Sequence, residues 1–394
     1  MSAPDHFDVA IVGAGAAGLM CALTAGQRGR RVLLLEHDEQ AGAKILISGG
    51  GRCNFTNRDV RPERFLSANP HFCKSALARY TQHDFIALVD KHAIAYHEKT
   101  LGQLFCDGSA RQIVAMLLAE CAEGNVDVRL RHRVTHIEKS DRFRIDTDKG
   151  AFAADNVVLA SGGPSIPKMG ATDFAHRMAK RFGLALTEMR PALVPLKVDG
   201  DDLKLMQPLS GLSFDAVASC GKTSFRESAL FTHRGLSGPA ILQISSYWRE
   251  GQSILLDLLP GRDAVAELKE RRKSRPKAEF KTVLGEWLPS RLAQALVERR
   301  LPNPTMGDLS DDLIGHIAEG LKRWRITPSG SEGYAKAEVT LGGIDSNELS
   351  SKTMEAKTVP GLYAIGEAVD VTGWLGGYNF QWAWSSGWCA GQAV

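Results

Sequence analysis

Gly13-Ala14-Gly15-Ala16-Ala17-Gly18 is a G-x-G-x-x-G run, and its surroundings decide the fold. Residues 7–12 before it form a short apolar stretch that reads as a strand, and residues 19–28 after it suit a helix. Residues 31–35 then supply a second strand, ending at Glu36. In this strand–turn–helix setting each glycine has its own task. Gly13 permits the tight turn, Gly15 lets the backbone approach a pyrophosphate, and Gly18 lets the helix pack closely on the strand. Ala16 and Ala17 open the helix, whose unpaired N–H groups and dipole favour a phosphate. Glu36 stands about twenty residues on, where a carboxylate accepts adenosine ribose hydroxyls and disfavours a 2′-phosphate. By itself the fingerprint fits NAD or FAD.

The far end of the chain selects FAD. Gly361-Leu362-Tyr363-Ala364-Ile365-Gly366-Glu367 reads as an apolar strand stopping at Gly366 and Glu367. FAD enzymes of the glutathione-reductase-like type place an acid after a glycine here to bond the ribityl chain, which NAD lacks. Gly373-Trp374-Leu375-Gly376-Gly377-Tyr378-Asn379 follows, before a helix expected over 380–393. A helix start aimed at the flavin pyrimidine edge stabilises negative charge on the reduced ring. Gly377, Tyr378 and Asn379 favour close approach to such a ligand. Between the two ends, Val157-Val158-Leu159-Ala160 leads into Ser161, Gly162 and Gly163, small residues that let the chain pass near a cofactor. Val134, opening a strand expected over 134–138, joins the cofactor-binding candidates.

The remaining segments place an insertion inside this α/β domain. Helices are expected at 85–92 and at 109–121, with Ser109 as N-cap. Strands are expected at 126–130, 143–147, 151–154 and 156–160, with a hairpin turn at Lys149-Gly150. Residues 193–259 read as a series of short strands, and helices follow at 264–272, 290–300 and 311–323. Strand-like segments return at 336–340 and 361–365. The expected architecture is a split Rossmann-like FAD-binding domain over 1–191 plus 335–394. A small β domain over 192–261 and a helical domain over 262–334 are inserted in it.

Composition narrows the class. With 394 residues, 44% hydrophobic and 24% charged, the chain is an ordinary globular protein of two or three domains. A formal net charge of +3 is too small to argue for nucleic acid or anionic lipid, so local charge must carry that question. The seven cysteines form no C-x-x-C pair and no ligand-spaced cluster, which points to reduced thiols in the cytoplasm and to no metal. Residues 9–26 lack charge but follow Asp5 and Asp8 rather than a basic flank, and glycines punctuate them. Neither export nor a membrane-spanning helix is expected.

Longer stretches carry a family resemblance. They include Ala43-Lys44-Ile45-Leu46-Ile47-Ser48-Gly49-Gly50-Gly51-Arg52-Cys53-Asn54-Phe55-Thr56-Asn57 and Gly102-Gln103-Leu104-Phe105-Cys106. Phe231-Thr232-His233-Arg234-Gly235-Leu236-Ser237-Gly238-Pro239-Ala240, Ala337-Glu338-Val339-Thr340-Leu341-Gly342-Gly343 and Gly376-Gly377-Tyr378-Asn379-Phe380-Gln381-Trp382-Ala383 complete the set. Together they resemble the bacterial YhiN/BaiN-like (HI-type) flavoproteins over essentially the whole chain. Ala43 departs from the pattern, since the family often carries a basic residue there. The resemblance implies a three-part fold and reduction of conjugated C=C bonds. One family activity converts uridine to dihydrouridine in large-subunit ribosomal RNA, and another reduces unsaturated steroid-like acids.

Chemistry near the flavin follows from the same segments. No second cysteine lies near Cys53, so disulfide reduction is disfavoured. Lys44, Gly50, Gly51, Arg52 and Asn54 are candidates for holding cofactor phosphates or the flavin ring. Hydride transfer to a C=C bond also needs a proton, for which Cys53, His233 and Tyr378 are the candidates. No second dinucleotide fingerprint occurs, so NAD(P)H, if it is the reductant, docks transiently. Between Lys269 and Lys277 six of nine residues are cationic, which suits either a solvated helix end or an RNA phosphate contact. An oxidase passing electrons to oxygen or quinone, and a non-catalytic flavin redox sensor, stay open beside the reductase.

Overall fold

A computed structural model describes residues 5–394, which divide into two compact units: one of residues 5–190 and 339–394, the other of residues 191–338. The first unit is organised by a sheet whose central strands are parallel. Strand β1 (Asp5–Val12), helix α1 (Ala16–Gln27) and strand β2 (Val32–Leu35) follow one another as the fingerprint requires. β1 runs parallel both to β2 and to the long strand Gly150–Leu159, which in turn runs parallel to Leu362–Ala364. Asp127–Arg129 extends the sheet beyond β2. Val134–Lys139 and Phe143–Thr147 close its other side as an antiparallel meander.

Two strands expected at 151–154 and 156–160 are one strand, Gly150–Leu159. Asp155 does not break it, because its side chain faces outward and pairs with His6 at 3.1 Å and Arg142 at 3.0 Å. The uncharged run that imitates a membrane segment is mostly β1 and α1, and every residue from Ala17 to Gly26 is buried. On one side α1 meets the terminal helix Tyr378–Gly391. There a Cβ on Gly387 would lie 2.5 Å from the Ala17 carbonyl, so only glycine permits that approach. Helix Ala110–Glu123 also packs on α1, and Ser109 caps it within a capping box as the sequence predicts. Helices Ala43–Ile47 and Phe174–Arg181 were not foreseen, being short and next to glycine-rich or polar turns. Among the described residues no helix is long and apolar enough to cross a membrane.

The second unit holds a seven-stranded antiparallel sheet. Its helices Ala264–Ser274, Phe280–Leu284, Ser290–Arg299 and Asp311–Lys322 lie between strands Ile254–Asp257 and Trp324–Ile326. Those two strands pair directly, Ile254 opposite Ile326. The helical segment thus leaves one sheet and returns to it, and the sequence boundary expected near 261 coincides with no division of this unit. Helix Pro239–Ser245 interrupts the run of strands. Gly238, at φ 86°, turns the chain into it, and Pro239 occupies its first turn.

Candidate functional site

Strand register brings the distant sequence pieces to one edge. Val12 lies opposite both Leu35 and Leu159, and Leu159 lies opposite Ala364. The chain leaves all four strands at their carboxyl ends, delivering Gly13, Glu36, Ala160–Gly163 and Gly366–Glu367 to adjacent positions. Crevices at this edge are where open α/β sheets bind ligands.

The three fingerprint glycines have different surroundings. Gly13 has φ 109°, and a Cβ there would meet the Ala160 carbonyl at 2.7 Å. A Cβ on Gly18 would stand 1.9 Å from the Gly13 carbonyl oxygen, so this glycine seats α1 on β1. A Cβ on Gly15 would meet nothing within 4 Å. Gly15 is also the N-cap of α1, with no side-chain cap and no acid in the first turn. The helix start therefore presents free space and positive potential together.

Glu36 is buried beside this turn. Its Oε2 accepts the Ala14 N–H at 2.8 Å, and its Oε1 accepts the Asp38 N–H at 3.1 Å. His37 Nδ1 stands 2.8 Å from the same Oε1. Burial pushes the carboxyl pKa up, but the bonds from His37, Asp38 and Ala14 outweigh it and hold the group below its ordinary value. Oε2, with the Ala14 N–H as its one partner, keeps a further lone pair for a ribose hydroxyl. Nearby, Leu35, Val134, Ser161 and Phe174 help line a cavity of about 290 Å³.

Glu367 forms the other pole. Lys44 Nζ lies 2.7 Å from its Oε2, while Ser165 Oγ at 2.6 Å and the Thr340 N–H at 2.9 Å bond Oε1. Lys44 also donates to Ser165 at 2.9 Å. Burial again pushes the carboxyl up, and the Lys44 ammonium with the two further donors brings it below the usual range. Gly366, at φ 62°, has its N–H held by Ser386 at 3.0 Å and its carbonyl held by Trp382 Nε1 at 3.0 Å. The terminal helix thus fixes the turn that presents Glu367. Ser165 and Thr340 were missed as site residues. Thr340 lies in a quoted stretch, but nothing in its spacing shows that it faces Glu367.

The terminal helix begins at Gly377, φ 93°, without a side-chain cap or an acid in its first turn. Thr56 and Trp384 anchor it, bonding Gln381 at 2.7 Å and the Phe55 carbonyl at 2.8 Å. The Asn379 side chain is not aimed at a ligand. It accepts the Gly373 N–H at 2.8 Å and donates to the Gly373 carbonyl at 2.9 Å, so its part is to close the preceding loop. Tyr378 is buried, and Arg64 donates to its hydroxyl.

Gly49, Gly50 and Gly51 all have positive φ, and a Cβ on Gly50 would meet nothing within 4 Å. Arg52 is exposed and Asn54 faces Gln103 at 3.2 Å. Cys53 must be withdrawn as a proton donor. It is 0% exposed, and burial raises its thiol pKa, so the group reaches neither cofactor nor substrate. His233 lies exposed in the turn between strands Thr223–Thr232 and Gly235–Ser237 of the second unit. Four of the six cations of the basic run are tied into ion pairs with two carboxylates. Lys269 and Arg272 each approach Asp311 to 2.8 Å, and Arg271 and Arg275 pair with Glu286.

Two buried hydroxyls test the fit of FAD. Ser161 Oγ and Thr340 Oγ1 have no hydrogen-bond partner, a cost that a polar ligand in the cradle removes. Ser161 shares a cavity lining with Leu35 and His37, and Thr340 Oγ1 stands with Glu367 Oε1 against Gly163. This arrangement suits an extended dinucleotide with a polyhydroxylated middle. The HI0933-like protein Rossmann domain matches residues 7–393. The chain belongs to the HI0933-like family. Together with the fit of the cradle, membership makes it an FAD-dependent oxidoreductase.

Relatives of this HI0933-like chain match it end to end. The ribosomal RNA dihydrouridine synthase of Escherichia coli is 52% identical, with 98% of each chain covered. That of Haemophilus influenzae is 45% identical over 98% of this chain and 97% of its own. Among solved structures, a 3-ketosteroid-Δ4-(5α)-dehydrogenase from Rhodococcus jostii superposes with a TM-score of 0.52 at 15% identity. It covers 98% of this chain and 97% of that one, and it speaks for the fold alone.

Proposed function

We propose that the chain reduces uridine to dihydrouridine in large-subunit ribosomal RNA, with FAD lying extended between Glu36 and Glu367. The observation that carries the flavin reading is the Glu367 clamp beside the two orphaned hydroxyls, a site for ribityl oxygens that NAD does not possess. The RNA reading draws its support from the full-length likeness to two ribosomal RNA dihydrouridine synthases.

When bound and reduced, with NAD(P)H as the transient reductant, the flavin would supply a hydride, and a proton must reach the neighbouring carbon. The chain's own part is placement. The α1 start would hold pyrophosphate, Glu36 would accept ribose hydroxyls, Glu367 would accept ribityl hydroxyls, and the terminal helix start would stabilise negative charge on the reduced ring. Cys53 and Tyr378 are both buried, which leaves His233 as the exposed proton-donor candidate. An RNA substrate places the protein in the cytoplasm, in keeping with its seven free cysteines. Mass spectrometry of ribosomal RNA nucleosides, from cells with and without the protein, tests the reading. Loss of a dihydrouridine is expected, and an unchanged profile overturns it.

Contact with RNA through the basic run falls to Lys273 and Lys277, both exposed and outside the ion pairs described above. Replacing both by alanine should flatten the slope of log affinity against log salt by about 1.4–1.8, the share of two phosphate contacts. FAD content should not change. An unaltered slope removes this contact.

A further inference from the structure

Leu101 breaks two local rules at once. Its backbone sits at φ 60°, ψ 29°, a region that bulky side chains enter only under strain. Among the described residues its side chain is the most exposed of the large apolar ones, at 62%. It lies in the turn between strands Tyr96–Glu98 and Gln103–Cys106, where the Lys99 N–H donates to the Gln103 carbonyl at 2.8 Å. Glycine or asparagine would hold such a turn without strain, and any polar residue would suit its exposure. A strained, exposed leucine satisfies neither demand, and such conflicts gather at functional positions.

The turn is coupled to the cofactor cradle through one buried amide. Asn57 Nδ2 donates to the Leu101 carbonyl at 3.0 Å and to the Gly376 carbonyl at 2.9 Å. Asn57 Oδ1 accepts the Asp59 N–H at 2.9 Å, which fixes the orientation of the amide. Gly376 directly precedes Gly377, the N-cap of the terminal helix. Leu101 therefore projects into solvent one side chain away from the helix start assigned to the flavin. Lys99, two residues before it, is exposed, with Nζ 4.3 Å from the Phe105 ring centroid.

We infer that Leu101 is a wedge that enters the RNA base stack when the target uridine is turned out toward the flavin. This inference rests on the ribosomal RNA reading above. A uracil inside a stack cannot lay its C5–C6 bond against a flavin, so the nucleotide has to leave the stack. Proteins that part stacked bases insert apolar side chains, leucine among them. The neighbouring Lys99 suits the phosphate of the displaced strand. A free small-molecule substrate needs no such device.

The test uses the holoenzyme, NAD(P)H as reductant and two RNA probes built around the uridine that mass spectrometry identifies: its folded ribosomal RNA fragment, and an unstructured single strand of the same sequence. Leu101→Ala should lower kcat/KM on the folded fragment about 10-fold or more, the cost of unstacking without a wedge. On the single strand it should stay within about twofold of wild type, because little stacking is left to break. Leu101→Met should behave as wild type on both. FAD content and visible spectrum should be unchanged throughout. Equal losses on both probes, or none on either, overturn the wedge while leaving the reductase reading intact. Failure of the wild-type holoenzyme to modify either probe overturns both.

Discussion

Gly15→Ala and Gly18→Ala are expected to fail in opposite ways. The Gly15 position has φ −79° and ψ −171°, a conformation open to any residue, and an added Cβ meets nothing in the protein. The cofactor-free variant should therefore be as stable as wild type, or up to about 1 kcal/mol more stable through a stiffer unfolded chain. Its methyl occupies the space over the helix start, so the pyrophosphate is pushed off two N–H groups. Charge-assisted hydrogen bonds are worth about 1.5–3 kcal/mol each, so FAD affinity should fall about 100-fold or more. Gly18→Ala places a Cβ 1.9 Å from the Gly13 carbonyl oxygen, against backbone that cannot yield. Lifting α1 off β1 should cost about 3 kcal/mol, or a Tm lower by about 6–12 °C. Thermal denaturation of FAD-stripped protein and fluorescence titration with FAD separate the two effects. If Gly15→Ala binds FAD as wild type does, the pyrophosphate does not sit on this helix.

Replacement of Glu367 should have the larger effect on colour. Glu367→Ala removes the acceptor for Lys44, Ser165 and the Thr340 N–H in one step, leaving an ammonium without its counter-charge. The purified protein should be colourless, with FAD affinity lower by about 100-fold or more, because a part-buried cation and the ribityl hydroxyls both lose their partner. Glu367→Gln keeps the shape but not the charge, and about a 10-fold loss is expected. The pH dependence has a definite sign. Burial raises this carboxyl pKa, yet Lys44 and the hydrogen bonds bring the net value in the folded protein below the ordinary 4.5. The stabilisation is therefore complete above about pH 4.5 and is lost as pH falls through the depressed folded value. Melting temperatures of cofactor-free wild type and Glu367→Gln should differ at pH 7 and converge in acid. A yellow Glu367→Ala protein with full FAD would remove this residue from the cofactor site.

Much of the cradle was legible because its parts are backbone devices with short sequence signatures. Gly13, Gly15 and Gly18 announce a turn, a close approach and a packing contact within six residues, and Glu36 follows at the end of the next strand. Asn379 was harder. An asparagine among glycines reads as a ligand contact, yet its amide is spent on Gly373 and Trp374, a choice made by the loop's geometry. Cys53 reads as reactive beside a flavin loop, but reactivity depends on exposure, and a buried thiol has none. The basic run reads as six free cations. Four of them share two carboxylates, Asp311 and Glu286, which lie far enough along the chain that no local pattern links them.

The sequence by itself determined that two distant ends build one sheet of an FAD-binding fold, and that the glycine turn and Glu36 gather at the carboxyl ends of its strands. Those facts follow from strand–turn–helix periodicity and from glycines whose roles are local. Only the tertiary structure decided which charges stay free, which thiols are sealed, and that Lys44, Ser165 and Thr340 converge on Glu367. Burial and ion pairing are sums over neighbours brought together by strand register, and one-dimensional spacing carries no record of who those neighbours are.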